Sequence, residues 1–321
     1  MPSSKYPSPP FDAELQPVLD AILETFSPSL HPEDIPALRA AKLTPGPDEL
    51  VQDRPITHTV HTIPGPAGDL TVSVFARSDH NTAGPALFFT HVGGLIFGDR
   101  FNGIAPLMEH VEELDLVAVT VEYRLAPEHP APAAVEDSYA ALKWTAEHAT
   151  ELGIDPDRII TAGASAGGGL AAALALMARD NDGPAVAGQM LMYPVLDDRD
   201  ETLSTHQNDG IGVWDRTSNL TGWNAALGER RGTDQVSIYE APARATDLSH
   251  LPPAYIEVGS NEVFRDESVV YATGIWAAGG AADLHVWAGG FHLFGQFAPD
   301  TTISRAARDT RTNWLRRTFQ L

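Results

Sequence analysis

The sequence predicts a doubly wound α/β fold, a mostly parallel sheet carrying a helical cap, and three observations lead there. From about residue 86 onward, short apolar and β-branched runs alternate with helical patterns, as expected for strands buried on both faces and joined by crossover helices. Two β-branched stretches flank Pro64-Gly65-Pro66-Ala67-Gly68 and read as a hairpin at a sheet edge. A polar stretch at residues 196–247 interrupts the alternation with no clear strand, and it is too long for an ordinary loop.

Taken in order, residues 1–55 are rich in proline, with short amphipathic patches at 11–26 and 35–43 that read as helices lying on the rest of the molecule. Residues 57–63 and 70–76 supply the hairpin. The strand candidates that follow are 86–90, 116–121, 158–162, 189–193, 254–258 and 284–287. Helical patterns occupy 133–148, 166–179, 265–278 and 304–318. The stretch at 196–247, with Trp214 and Trp223, is expected to be a lid or cap inserted into this series. There is no internal repeat and no low-complexity tract.

Composition narrows the function. With 321 residues, 43% of them hydrophobic, one substantial core is expected, with a small accessory element attached. Lys and Arg number 21 against 43 Asp and Glu, a net charge of −22 that would repel a nucleic acid over most of the surface. Cysteine is absent, which excludes disulfides, thiolate metal sites and cysteine nucleophiles. Residues 1–10 carry four prolines and no apolar stretch, unlike a secretory signal, and the longest small-apolar run, 170–178, is too short to span a bilayer. A soluble, cytoplasmic protein is the expectation, with a homodimer left open.

Gly163-Ala164-Ser165-Ala166-Gly167 fits G-x-S-x-G and lies between a strand and a helix. A sharp turn there strains the serine backbone and lifts its hydroxyl above the sheet, while the helix N-terminus aims amides at developing negative charge. The plainer reading, a glycine-rich turn or phosphate loop, lacks the Lys-Ser/Thr ending of a nucleotide P-loop. Upstream, the strand at 86–90 runs into His91-Val92-Gly93-Gly94-Leu95. Alone this glycine pair would be a loop; with the nucleophile turn downstream, the amides of Gly93, Gly94 and Ala166 read as an oxyanion hole.

His292, one of twelve histidines, follows the last strand candidate on the glycine-containing stretch 288–294. It comes last in the order Ser, acid, His that such sheets use, and imidazole suits proton shuttling near neutral pH. The acid is expected after the strand at 254–258, where Glu262, Asp266 and Glu267 compete. Asp266 and Glu267 fall where a helix would begin, as first-turn charges. Position favours Glu262 over Asp266.

Tyr123-Arg124-Leu125-Ala126-Pro127-Glu128-His129-Pro130, followed by Glu136-Asp137, Tyr193-Pro194 and Leu251-Pro252-Pro253-Ala254, brings a family into view. From about residue 86 to the C-terminus the chain resembles the hormone-sensitive-lipase-like, or bacterial family IV, carboxylesterases of the α/β-hydrolase superfamily. The resemblance implies an α/β-hydrolase fold with cap helices in 1–55, a catalytic domain over 56–321 and a cap insertion at about 196–247. It puts the nucleophile on Ser165, the histidine on His292 and the acid on Glu262, with the register set by Arg265-Asp266-Glu267. Three departures stand out: Val92 replaces a glycine of the usual His-Gly-Gly-Gly, Ala164 replaces an acidic residue, and Glu262 replaces Asp. The implied activity is hydrolysis of short to medium acyl esters through an acyl-enzyme, with a small-molecule ester as substrate and no metal or organic cofactor. A lactonase, amidase or acyltransferase using the same triad, or a ligand-binding member without catalysis, stays open. Phe11, Phe26, Phe97, Trp214 and Phe294 are candidate pocket aromatics, each also explicable as packing.

Overall fold

The structure, a computed structural model, describes residues 6–41 and 44–321. The reading of residues 1–10 and the far end of the patch at 35–43 therefore lie partly outside the described residues. The strands are β1 (Ile56–Gly65), β2 (Gly68–Arg77), β3 (Gly84–Thr90), β4 (Val117–Val121), β5 (Ile154–Ala164), β6 (Gly188–Met192), β7 (Ala254–Gly259) and β8 (Ala282–Trp287). The helices are α1 (Gln16–Leu23), α2 (Ile35–Ala40), α3 (Pro47–Val51), α4 (Ala105–Leu114), α5 (Ala133–Glu147), α6 (Ala166–Asp180), α7 (Leu203–Gln207), α8 (Arg216–Leu227), α9 (Arg265–Ala277), α10 (Phe294–Phe297) and α11 (Thr302–Phe319).

The strands form one sheet in the order β1-β2-β4-β3-β5-β6-β7-β8. β1 and β2 pair antiparallel through the expected hairpin, with Ile63 opposite Leu70 and Gly65 opposite Gly68, and β2 pairs antiparallel with β4. Every later pairing is parallel. Strands β3, β4, β6 and β7 are buried at each residue, because helices cover both faces.

The period of two sorts their side chains to opposite cores. Leu87 and Phe89 pack with Leu107 and Val111 of α4 and Trp314 and Leu315 of α11 on one face. Ala86 and Phe88 pack with Val135 and Leu142 of α5 and Leu170 and Leu174 of α6 on the other. Farther along that face, α6 and α9 bury Leu176, Tyr271 and Ile275 against Leu191 and Ile256. Helix α4 has no counterpart among the sequence expectations. Ile104, Leu107, Met108 and Val111 do have helical spacing, but Glu109 and His110 interrupt them.

The stretch at 196–247 holds α7, α8 and two single 3-10 turns, with no strand. Its Trp223, Ala226, Leu227 and Val236 form an apolar cluster with Ile35 of α2, Ile96 and Ala126. The N-terminal segment is pinned to α8: Ser29 Oγ donates to Asp215 Oδ2 at 2.6 Å, Ser218 Oγ accepts from Leu30 N at 2.8 Å, and Thr221 Oγ1 donates to Leu30 O at 2.8 Å. Among the described residues no helix is long and apolar enough to cross a membrane.

Candidate active site

Ser165 stands between β5 and α6 with φ 57° and ψ −125°. A left-handed φ costs a non-glycine residue about 1–3 kcal/mol and persists only where the surroundings over-determine it. They do here. A Cβ on Gly163 would lie 2.1 Å from Gly167 O, and one on Gly167 would lie 1.9 Å from Thr90 O, so both flanking positions demand glycine. Thr90 Oγ1 donates to Gly167 O at 2.7 Å, and Ser165 N donates to Met192 O at 2.9 Å, which clamps the turn between β3 and β6.

His292 arrives on the loop after β8. Its Nε2 lies 2.9 Å from Ser165 Oγ and its Nδ1 lies 2.6 Å from Glu262 Oε2. With Nδ1–H donating to the carboxylate, Nε2 is free to accept the serine proton. The other Glu262 oxygen accepts Gly259 N at 2.6 Å, so the carboxylate is held at both ends. The two loops interlock closely: Asn261 N donates to Gly290 O at 3.0 Å, and a Cβ on Gly259 would meet Gly290 O at 2.2 Å. Phe264 and Tyr193 present their rings edge-on to His292, with centroids at 4.9 and 5.8 Å. Ser165, Glu262 and His292 are 4%, 1% and 3% exposed. Three loops at the carboxyl ends of β5, β7 and β8 thus bring together residues far apart in the chain.

Among the described residues, none accepts a hydrogen bond from the amides of Gly93, Gly94 or Ala166. Gly93 has φ 135° and a Cβ there would overlap Phe97 O at 1.9 Å; Gly94 has φ 59° and a Cβ would meet the Trp214 ring at 2.5 Å. Val92 belongs to the buried core with Phe89 and Phe101, and so does Ala164, so the first two departures from the family pattern are absorbed by packing. His91 stacks on Tyr123 with centroids 3.9 Å apart, and Tyr123 Oη donates to His91 O at 2.9 Å. Burial pushes the His91 pKa down to about 4, and the neutral ring donates from Nδ1 to Val92 O at 2.8 Å.

The competing carboxylates sit elsewhere. Asp266 Oδ2 accepts Ser204 N from α7 at 2.8 Å, and Oδ1 accepts Arg265 Nε at 2.7 Å. Glu267 is buried, accepts Leu196 N at 2.7 Å, and burial holds its carboxyl well above the usual range. Both lie in the first turn of α9 as the sequence implies, yet they also anchor the inserted stretch.

Of the candidate aromatics, Trp214 lies against Gly94, with Phe97 beside it at 6.3 Å between centroids. Phe294 packs on Tyr193 and Phe11 on Phe291, while Phe26 is exposed. A small cavity of about 20 Å³ next to Ala166 is lined by Leu95, Gly169, Leu170, Val195 and Trp223, with Tyr239 and Glu240. Sequence reasoning missed Tyr193 and Phe264 as neighbours of His292. Tyr193 ends a strand candidate at the carboxyl edge, where sites gather in such sheets; Phe264 carries no comparable signal.

The sheet order, the serine turn and the loop-borne histidine define the α/β-hydrolase class. A family model described as alpha/beta hydrolase fold matches residues 87–296. Carboxylesterase NlhH of Mycobacterium tuberculosis is 33% identical over 275 residues, 84% of this chain and 86% of the relative. Esterase LipI of the same organism is 34% identical over 232 residues, 70% of each chain. The solved structure titled Bacterial Heroin Esterase aligns with a TM-score of 0.89 at 34% identity, covering 96% of this chain and 98% of that one. The chain belongs to the α/β-hydrolase family, in the carboxylesterase branch that the signature at residues 123–128 implies, and is a carboxylic ester hydrolase.

Proposed function

We propose that the protein hydrolyses short to medium acyl esters through an acyl-enzyme, with Ser165 as nucleophile, His292 as general base and Glu262 as the acid that orients it. The observation that carries this reading is the continuous chain from Ser165 Oγ through His292 to Glu262, at 2.9 and 2.6 Å; among the described residues nothing accepts from the amides of Gly93, Gly94 and Ala166, which leaves them open to an oxyanion. Ser165 Oγ attacks the ester carbonyl as its proton passes to His292 Nε2. The carbonyl electron pair moves onto oxygen, and Gly93, Gly94 and Ala166 donate to that oxyanion. Glu262 offsets the imidazolium charge. Collapse breaks the bond to the alcohol oxygen, which takes the proton from His292 and leaves. Water, deprotonated by the same histidine, attacks the acyl-enzyme, and the second collapse releases the carboxylic acid and returns the proton to Ser165.

The N-terminal segment and the insertion at about 196–247 act together as the cap over this site, which their shared apolar cluster supports. The small size of the cavity beside Ala166, closed by Trp223 and Leu170, supports a limit on acyl length. The test is a series of nitrophenyl esters from acetate to laurate, run with wild type and Ser165→Ala. Short to medium esters should turn over fastest, and Ser165→Ala should lose both turnover and labelling by a fluorophosphonate. Retained turnover in that mutant would remove Ser165 as nucleophile, and faster hydrolysis of laurate than of butyrate would remove the size assignment.

A further inference from the structure

Arg39 of α2 makes a set of bonds that its sequence position does not announce. Its Nε donates to Ile96 O at 2.7 Å and its Nη2 to Ala126 O at 2.7 Å. The same guanidinium forks onto Glu128, with Nη1 at 2.8 Å from Oε1 and Nη2 at 2.9 Å from Oε2. One side chain from the N-terminal segment thus holds the loop after β3 and the loop after β4 at once. Those loops are already joined by Ala126 N donating to Leu95 O at 2.9 Å.

The loop after β3 carries Gly93 and Gly94. Ile96 N and Phe97 N both donate to Gly93 O, at 2.9 and 3.0 Å, so the peptide that ends at Ile96 O is tied back to the Gly93 carbonyl. Gly93, Gly94 and Leu95 all have positive φ, 135°, 59° and 65°. Three successive residues in this region form a turn with little intrinsic preference for one shape, and two of them are glycines. Something outside the turn must hold its amides in one direction. On the downstream side the guanidinium fixes the Ile96 carbonyl, and Ile35 of the same helix packs in the apolar cluster with Ile96 and Ala126.

We infer that Arg39 is a positioning residue for the oxyanion hole: it transmits the docking of the N-terminal segment to the amides of Gly93 and Gly94. This rests on the proposed role of those amides. A planar fork with donors in fixed directions can satisfy two carbonyls and a carboxylate together, whereas a lysine ammonium at the end of a shorter reach cannot. Donors that drift by about 1 Å from the developing oxyanion can cost about 100-fold in rate. Arg39 touches no reacting atom in this arrangement; its effect runs through the loop.

The test compares wild type, Arg39→Met, Arg39→Lys and Glu128→Gln with a nitrophenyl ester of a short acid and with a trifluoromethyl ketone. The ketone accepts Ser165 Oγ at its carbonyl carbon and leaves a hemiketal oxyanion in the hole. Arg39→Met should lower kcat by about 10- to 100-fold and weaken the ketone by a similar factor, with KM within about threefold of wild type. Arg39→Lys should fall between. Glu128→Gln keeps the two carbonyl bonds and should hold ketone affinity near wild type.

A rise in KM with kcat and ketone affinity unchanged in Arg39→Met would reduce Arg39 to a tether and overturn the inference. Equal losses in Glu128→Gln and Arg39→Met would overturn it too, since the ion pair and not the carbonyl bonds would then matter. If Arg39→Met fails to fold, Arg39→Lys with wild-type kcat and ketone affinity gives the same refutation. A wild-type protein that forms no ketone adduct while hydrolysing esters would instead fault the underlying assignment of Ser165.

Discussion

Asp266 Oδ2 accepts the backbone amide of Ser204 at 2.8 Å, so the second carboxylate after β7 holds the inserted stretch while Glu262, four residues earlier, holds His292. The division separates two mutants that look alike in sequence. Glu262→Gln keeps the side-chain volume and removes the charge that supports the imidazolium; kcat should fall by about three to four orders of magnitude, as for other triad acids made neutral. Asp266→Asn should keep kcat within a few-fold of wild type and lower the melting temperature, because it weakens a charge-assisted bond worth about 1.5–3 kcal/mol. Steady-state kinetics and thermal melts on both mutants decide it, and the reverse pattern would move the acid to Asp266.

The glycines around Ser165 are required by close approach. Gly167→Ala places a methyl group 1.9 Å from Thr90 O, and backbone rather than a flexible side chain would have to yield. Overpacking of this kind costs about 1–3 kcal/mol or more. Denaturant melts should show that loss, accompanied by a drop in kcat as the β5–α6 turn shifts. Wild-type stability in Gly167→Ala would mean that the turn is softer than its contacts imply.

Gly94→Ala meets the Trp214 ring at 2.5 Å and adds a side chain at φ 59°. Turnover should drop by at least about tenfold, given that one oxyanion donor is worth about 100-fold or more. Trimming the obstacle with Trp214→Ala in the same chain should restore part of the loss, leaving the backbone strain uncorrected. A double mutant no faster than Gly94→Ala would show that the ring is not what the added methyl group meets first.

Glu257 and Arg311 form a buried ion pair behind the site. Arg311 Nη1 donates to Glu257 Oε1 at 2.6 Å, and Tyr255 Oη donates to Oε2 at 2.8 Å. Removing one partner strands the other charge, at a cost of about 3–5 kcal/mol, whereas replacing both by apolar residues can be close to neutral. Glu257→Gln should therefore lower the melting temperature more than the pair Glu257→Leu with Arg311→Met. Equal losses would mean that water reaches the pair.

His110 of α4 is buried, and burial first, then the charges of Arg311 and Arg308, push its pKa down to about 3. The unfolded chain takes up this proton near pH 6.5, so between about 6.5 and 3 the unfolded state binds more protons than the folded one. Stability from this group is complete above about pH 6.5 and falls as the pH drops, by up to about 1.4 kcal/mol per pH unit. His110→Leu should flatten the acid limb of a stability profile between pH 6 and 4. An unchanged slope would show that His110 does not govern acid loss.

The sequence by itself determined the layered fold and the order of strands and helices along the chain, and it singled out Ser165, His292 and the glycines beside them as candidates that the fold then brings together. These are local properties: burial on both faces writes continuous apolar runs, and a strand that turns into a helix within a few residues needs glycine on either side of its serine. The choice between Glu262 and Asp266 was only half legible, because both follow β7 within eight residues and either could face the site. Tertiary structure decides which carboxylate meets His292, since the loop after β8 crosses next to Gly259 and brings His292 within 2.6 Å of Glu262 while α7 takes Asp266. The Arg39 bracket and the pairing of Glu257 with Arg311 were invisible for the same reason. Each depends on the relative placement of segments 54–89 residues apart, and no local pattern of residue types records it.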